Sequence, residues 1–287
     1  MSITAADIDT FEAVRPRLFG IAYRMLGTRH EAEEIVQEAW LRWQGTDRAA
    51  VREPAAFLAT TTTRLAINEA QSARARRETY VGPWLPEPVD TGADPLLGAV
   101  TGEALELGVL MLLEKLTPTE RATYVLREAF DYSYGDIADA LQVSEANARQ
   151  LSARARKKLE GGRRAKADAD AHRRLLDAIV AAAQAGDVKA LEQMLADDVV
   201  TYADGGGVVN AARKPIAGRE RVAKALVGLA AKFWQGVTFV ALDANGQPAL
   251  FVHREGEPIV VAAITASEAG VEQIFFVANP TKLVVTP

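Results

Sequence analysis

Cysteine is absent from this chain of 287 residues. That absence excludes disulfide scaffolds, thiolate nucleophiles and cysteine-ligated zinc, and it suits a reducing compartment. Histidine is scarce too: His30, His172 and His253 are the only three, and no cluster supports a metal site. Long hydrophobic runs are missing. Residues 105–116 fall short of the roughly 20 needed to cross a bilayer, and Glu106, Glu114 and Lys115 interrupt or flank them. The early residues carry Asp7 and Asp9 and lack a basic-then-apolar signal pattern, so a cytoplasmic protein without membrane contact is expected. An overall excess of positive charge is also missing, with 33 Lys+Arg against 38 Asp+Glu and a net charge of -5. This argues against coating nucleic acid by bulk charge, but local clusters can still bind it.

Hydrophobic residues make up 49% of the chain, enough for real cores in two or three domains. The most informative segment is 134–158, YGDIADALQVSEANARQLSARARKK. Ile137, Ala138 and Leu141 share one helical face, Ala148 and Leu151 repeat it, and Gln142, Val143 and Ser144 break the pattern between them. Two short helices joined by a tight turn, the second polar and basic, read as a helix-turn-helix. Ser144 suits the N-cap, and Asn147 stands where a capping box would place an acid. Arg149, Arg154, Arg156, Lys157 and Lys158 follow, and Arg163, Arg164 and Lys166 extend the run. Such a cluster attracts phosphates irrespective of base sequence. The plainer alternative is a surface helical hairpin.

Helical spacing dominates 11–77. Phe11, Val14, Leu18, Ile21, Ala22 and Met25 make one helix closed by Gly27, residues 31–43 make a second, and Pro54 opens a third. Trp40 and Trp43 read as core. The threonines Thr60, Thr61, Thr62 and Thr63 weaken the third helix and call for packing to hold it. Residues 79–95 hold Gly82, Pro83, Pro86, Pro88, Gly92 and Pro95, so they form a linker. Its apolar Trp84 and Leu85 should dock on a neighbouring surface. A second helical module spans 96–159, one of its helices opened by Thr117 and Pro118. Gly161 and Gly162 mark a second joint. Helices then precede strands at 199–202, 238–242, 249–252, 259–264 and 271–277, with a helix at 218–233 among them. That order reads as an α+β domain with a largely antiparallel sheet.

Five motifs in order carry a resemblance: GIAYRMLGTRHEAEEIVQEAWLRW at 20–43, WLPEP at 84–88, the 107–159 segment with the helix-turn-helix, DGGG at 204–207 and NPTKL at 279–283. The chain resembles the extracytoplasmic-function RNA polymerase sigma factors, specifically the SigJ-like subgroup with a fused C-terminal SnoaL-like (NTF2-like) domain. The resemblance implies two all-α modules, sigma-2 over 1–80 and sigma-4 with its helix-turn-helix over 96–165. A linker over 81–95 joins them, and an α+β SnoaL-like/NTF2-like regulatory domain covers 166–287. It also implies core RNA polymerase and promoter DNA as partners. In sigma-4, Ser144, Asn147, Arg149, Gln150 and Arg154 become contacts to the -35 element, since Arg and Gln read base edges, while Arg156, Lys157 and Lys158 hold phosphate. In sigma-2, the third helix and the loop at 45–53 would read the -10 element, with Asn68, Arg74 and Arg77 on the strand. Glu33, Glu34 and Glu38 fall where relatives dock polymerase. Trp84, Leu85, Pro86, Asp204, Gly205, Gly206, Gly207, Asn279, Pro280, Lys282 and Leu283 form the expected interdomain regulatory set. Two positions depart from the subgroup: Thr281 replaces a common acid, and Val208 a common lysine.

Enzymes occur on the SnoaL-like fold, so Tyr202, Asp204, Trp234 and His253 deserve weighing as catalytic groups. His253 sits near a turn, Asp204 suits a turn acid as well as a base, and the three glycines lack the Lys-Ser/Thr of a phosphate loop. The expectation is therefore a non-enzyme without cofactor or metal, monomeric when free, whose C-terminal domain regulates and leaves room for a small-molecule ligand. The alternatives are a helix-turn-helix regulator independent of polymerase, and a SnoaL-like enzyme with a helical targeting module.

Overall fold

Thr4 starts the first helix of the computed structural model, which describes residues 3–92, 105–160 and 169–283. Its hydroxyl accepts the Asp7 N–H while the Asp7 carboxylate accepts the Thr4 N–H, a capping box that satisfies two orphan donors. Helix α1 (Ala5–Leu26) ends at Gly27, whose φ of 74° lets its N–H bond the Tyr23 carbonyl. Helix α2 (Arg29–Gly45), a short 3₁₀ turn (Arg48–Ala50) and α3 (Pro54–Glu78) complete the first helical group. Leu18, Ile21, Met25, Trp43 and Leu58 form its core, and Trp40 packs its ring against Phe11. The threonine run survives because Thr62 and Thr63 are buried, and the Thr63 hydroxyl bonds back to the Ala59 carbonyl at 2.8 Å.

Four more helices follow: α4 (Leu107–Leu113), α5 (Pro118–Tyr124), α6 (Tyr134–Leu141) and α7 (Glu145–Leu159). Thr117 and Glu120 make the capping box of α5, with Pro118 in its first turn. A wider π turn, Val125–Ala129, carries α5 toward the helix-turn-helix. Between α6 and α7, Gln142 adopts a φ of 56° and the Val143 N–H bonds the Ala138 carbonyl. Ser144 then caps α7 by accepting the Asn147 N–H. The backbone contacts divide the described residues into two units, one of 3–78, Leu105 and 109–160, the other of 79–92, Glu106–Gly108 and 169–283. In the first, arginines tie the two helical groups together. Arg121, 5% exposed, donates to the carbonyls of Met25 and Leu113 and to Glu114. Arg64 of α3 donates to the carbonyls of Asp139 and Ala140 at the end of α6.

The second unit begins with α8 (Ala169–Ala185) and α9 (Val188–Met194), separated at Gly186 and recapped by Asp187. Strand β1 (Leu195–Asp204), β2 (Ile216–Ala217), helix α10 (Arg219–Phe233), β3 (Val237–Ala244), β4 (Gln247–Arg254), β5 (Glu257–Ser267) and β6 (Gly270–Val277) follow. They form one six-stranded sheet in the order β2-β1-β6-β5-β4-β3. Neighbours are antiparallel except β1 and β6, which run parallel. Helix residues Leu176, Ile179, Leu191, Val222 and Leu226 pack with Leu250, Ile264 and Ile274 of the strands.

The expected SnoaL-like (NTF2-like) fold is corrected here. That fold implies a sheet closed into a cone, whereas this sheet is open. Its two edges, β2 and β3, stand at opposite ends of the strand order, and no ladder joins them. Closure would need a long hydrogen-bonded edge on each side, but β2 contributes only two residues, both paired to β1. Helices, rather than a returning strand, cover the apolar face. The joint at Gly161 and Gly162, the boundaries at 95/96 and 165/166, and the basic residues Arg163, Arg164 and Lys166 lie outside the described residues.

Candidate functional site

Helix α7 buries Ala148, Leu151, Ser152, Ala155 and Leu159. Its opposite side exposes Ser144, Arg149, Gln150, Arg154, Arg156, Lys157 and Lys158, with Asn147 half-buried in the first turn. The basic side chains are not equivalent. Arg149 pairs with Glu145 one turn back and lies 4.8 Å from the Tyr134 ring centroid. Arg156 bonds Glu128 at 2.6 Å, while Lys158 at 2.6 Å and Arg154 at 3.5 Å share Glu120. Lys157 and Gln150 form no ion pair or side-chain bond among the described residues. Glu120 is therefore an electrostatic anchor: burial alone would raise its carboxyl, but bonds from Lys158 and Thr117 hold it down to about 2.

On α3, Asn68 and Arg74 are exposed. Arg77 instead turns inward, bonding Glu114 and the Leu26 carbonyl. On α2, Glu33 pairs with Arg15 at 2.6 Å, Glu34 with His30 at 3.4 Å and Glu38 with Arg42 at 3.0 Å. These acids lie along one surface helix, each with a basic side chain beside it.

Three distant motifs meet within the second unit. Asp204 at the end of β1 is fully buried and its carboxylate accepts four hydrogen bonds. Tyr80 Oη and the Gly206 N–H reach one oxygen at 2.6 and 3.0 Å, and the Leu85 N–H and Lys282 Nζ reach the other at 2.9 and 2.7 Å. Four bonds fill its acceptor sites. Lys282, 5% exposed, also donates to the Leu85 carbonyl at 2.6 Å, and its ammonium lies 4.4 Å from the Trp84 ring centroid. Asn279 donates to Tyr80 Oη at 2.8 Å. A side chain on Gly206, whose φ is 63°, would collide with Asn279. Leu85 and Pro86 are buried, Trp84 is half-buried, and Leu283 is 6% exposed while Pro280 faces solvent. Burial and the neighbouring Asp204 both push the Tyr80 hydroxyl above its ordinary value. Further along the linker, Val89 and Asn245 exchange bonds, and Thr91 bonds the Asp243 carbonyl. Both divergent positions have local explanations: Thr281 donates twice to the Asn279 side chain, and Val208 is 73% exposed beyond the glycines.

The sequence reading did not single out Tyr80, Arg64, Arg121 or Glu120. A tyrosine four residues before the WLPEP tryptophan and a glutamate three after a threonine cap were the available signals. The weighed catalytic groups do not converge. Asp204 is saturated by Tyr80, Leu85, Gly206 and Lys282, Tyr202 stacks on Phe275, Trp234 meets Phe239 edge-on, and His253 lies beside Phe251. No group of three metal-binding side chains occurs among the described residues, and no helix among them is long and apolar enough to cross a membrane.

A basic helix-turn-helix allied to a second helical group defines a DNA-binding protein of the helix-turn-helix class. Residues 10–76 match the family model for Sigma-70 region 2, and residues 107–159 that for Sigma-70, region 4. The chain is 35% identical to the ECF RNA polymerase sigma factor SigJ of Mycobacterium tuberculosis, covering 98% of this chain and 94% of that protein. It is 29% identical to the probable ECF sigma factor SigI of the same organism, over 95% of this chain and 93% of that one. The crystal structure of Mycobacterium tuberculosis SigJ superposes with a TM-score of 0.79 at 33% identity, covering 98% of this chain and 99% of that one. The chain belongs to the ECF RNA polymerase sigma factors. It is a transcription factor of that family.

Proposed function

We propose that this protein joins core RNA polymerase and directs promoter-specific initiation, and that its C-terminal unit modulates this activity through the linker. In this reading α7 meets the -35 element, with Arg149 and Gln150 toward base edges and Lys157 toward phosphate. Helix α3 meets the -10 strand with Asn68 and Arg74, and the α2 acids face polymerase. Arg77 reaches the strand only after releasing Glu114. The observation that carries the modulatory half is the capture of Trp84 and Leu85 by Asp204 and Lys282. The captured segment lies in sequence between the two readers, so its conformation bears on the spacing they can adopt. Reconstituted transcription with core polymerase and cognate promoter templates tests both halves. Added protein is expected to produce promoter-specific transcripts, and Trp84→Ala to change their yield with every DNA-facing residue intact. Equal background initiation with and without protein would refute the sigma reading. Unchanged yield from Trp84→Ala would refute the modulation alone.

A further inference from the structure

A cavity of about 640 Å³ lies between the open sheet and helices α8 and α10. Alternate residues of β1 and β6 face it: Thr201 and Ala203 on one strand, Ile274 and Phe276 on the other. Period-two alternation sends Tyr202 and Phe275 to the opposite face, where they stack. The walls are largely apolar, and Asn210, Thr201, Lys232 and Arg254 interrupt them. Thr201 is 8% exposed, and its hydroxyl has no hydrogen-bond partner. Its oxygen is itself shielded, so the polar contacts open to a ligand are those at the rim. At the rim stand Lys232 and Arg254, among the described residues the only ionisable lining side chains, both exposed and both basic. Arg254 donates to the Phe233 carbonyl, and neither cation has a carboxylate partner among the described residues.

We propose that this cavity binds an amphiphilic anion: a small molecule with an apolar body of the fatty-acid class and a carboxylate at the Lys232–Arg254 rim. The apolar walls supply affinity by burial, and the unpaired cations select the sign of the polar end. This site goes beyond the regulatory reading, and its test measures binding alone.

The experiment is fluorescence titration of the full chain with dansyl-labelled undecanoic acid, followed by displacement with dodecanoate or neutral dodecanol. Saturable binding is expected, with dodecanol displacing about tenfold less well, as a charge-assisted bond implies. Leu229→Trp, which fills the cavity, should abolish binding. Lys232→Met combined with Arg254→Met should weaken dodecanoate about tenfold or more. If Leu229→Trp does not fold, the rim variant decides the matter. No saturable binding, binding indifferent to these variants, or dodecanol competing as well as dodecanoate would overturn the proposal.

Discussion

Removing the Lys282 ammonium should release the linker, and the cost follows from burial. Asp204 is 0% and Lys282 5% exposed, so neither charge has water to fall back on. Breaking such a pair from one side typically costs about 3 to 5 kcal/mol. Lys282→Met keeps the aliphatic stem over Trp84, and Tyr80, Leu85 and Gly206 still donate to Asp204. The loss should therefore sit near the lower bound, about 3 kcal/mol. Asp204→Asn removes the charge from the other side and strands the ammonium. The double variant should lose less than the sum of the two singles by about 1 to 3 kcal/mol, because neither charge is then left alone. Chymotrypsin reads the opening directly, since Tyr80 and Trp84 lie in the captured segment. An opening eased by about 3 kcal/mol accelerates cleavage there about a hundredfold when closing outpaces cleavage. Urea unfolding of the full chain supplies the equilibrium values. Single variants that lose under about 1 kcal/mol, or a strictly additive double, would refute the reasoning.

Arg149→Ala should reduce discrimination between cognate and altered -35 sequences by about 1 to 3 kcal/mol. Lys157→Ala should instead weaken both alike and lower the salt slope by about 1; binding isotherms at several salt concentrations separate the two, and identical behaviour would defeat this division of α7. Arg121→Met should destabilise the helical unit by about 3 kcal/mol, because it strips a buried guanidinium from two carbonyls and Glu114. Thermal unfolding checks that value. The linker contact should weaken in alkali: Tyr80 titrates above its ordinary value of 10 when folded, so its contribution is full below pH 10 and is lost as pH rises through the folded value. Tyr80→Phe should flatten that dependence in chymotryptic cleavage rates; an unaltered profile would show that another group is titrating.

Local chemistry was legible where one residue decides the backbone. Gly27, Pro118, Ser144 and Gly186 each start or stop a helix at the position their type dictates. Strand positions followed from alternation, yet closure of the sheet did not. Period two says that a segment is extended, not which neighbour its edge finds, and the two-residue β2 leaves no run long enough to recognise. Basic residues were legible as charge but not as direction. Arg77 belongs by type to a basic helix end suited to a DNA strand, whereas here its guanidinium holds Glu114 and the Leu26 carbonyl. Arg64 and Arg121 were overlooked because carbonyl acceptors leave no mark in a sequence. The acid-plus-glycine motif was readable as a close backbone approach. Its partner Tyr80 lies 124 residues away, a separation no local pattern spans.

Lys282 follows Leu85, whose carbonyl it holds, by 197 residues. On the ribosome this separation is a clock. At about 5 to 20 residues per second, roughly 10 to 40 s pass after the linker is made before its lysine exists. The second helical group, ending at Leu159, is completed within that interval, while Trp84 and Leu85 still lack their final cover. A newborn molecule is thus unlatched for a period set by translation speed, and slow codons between β1 and β6 would lengthen it.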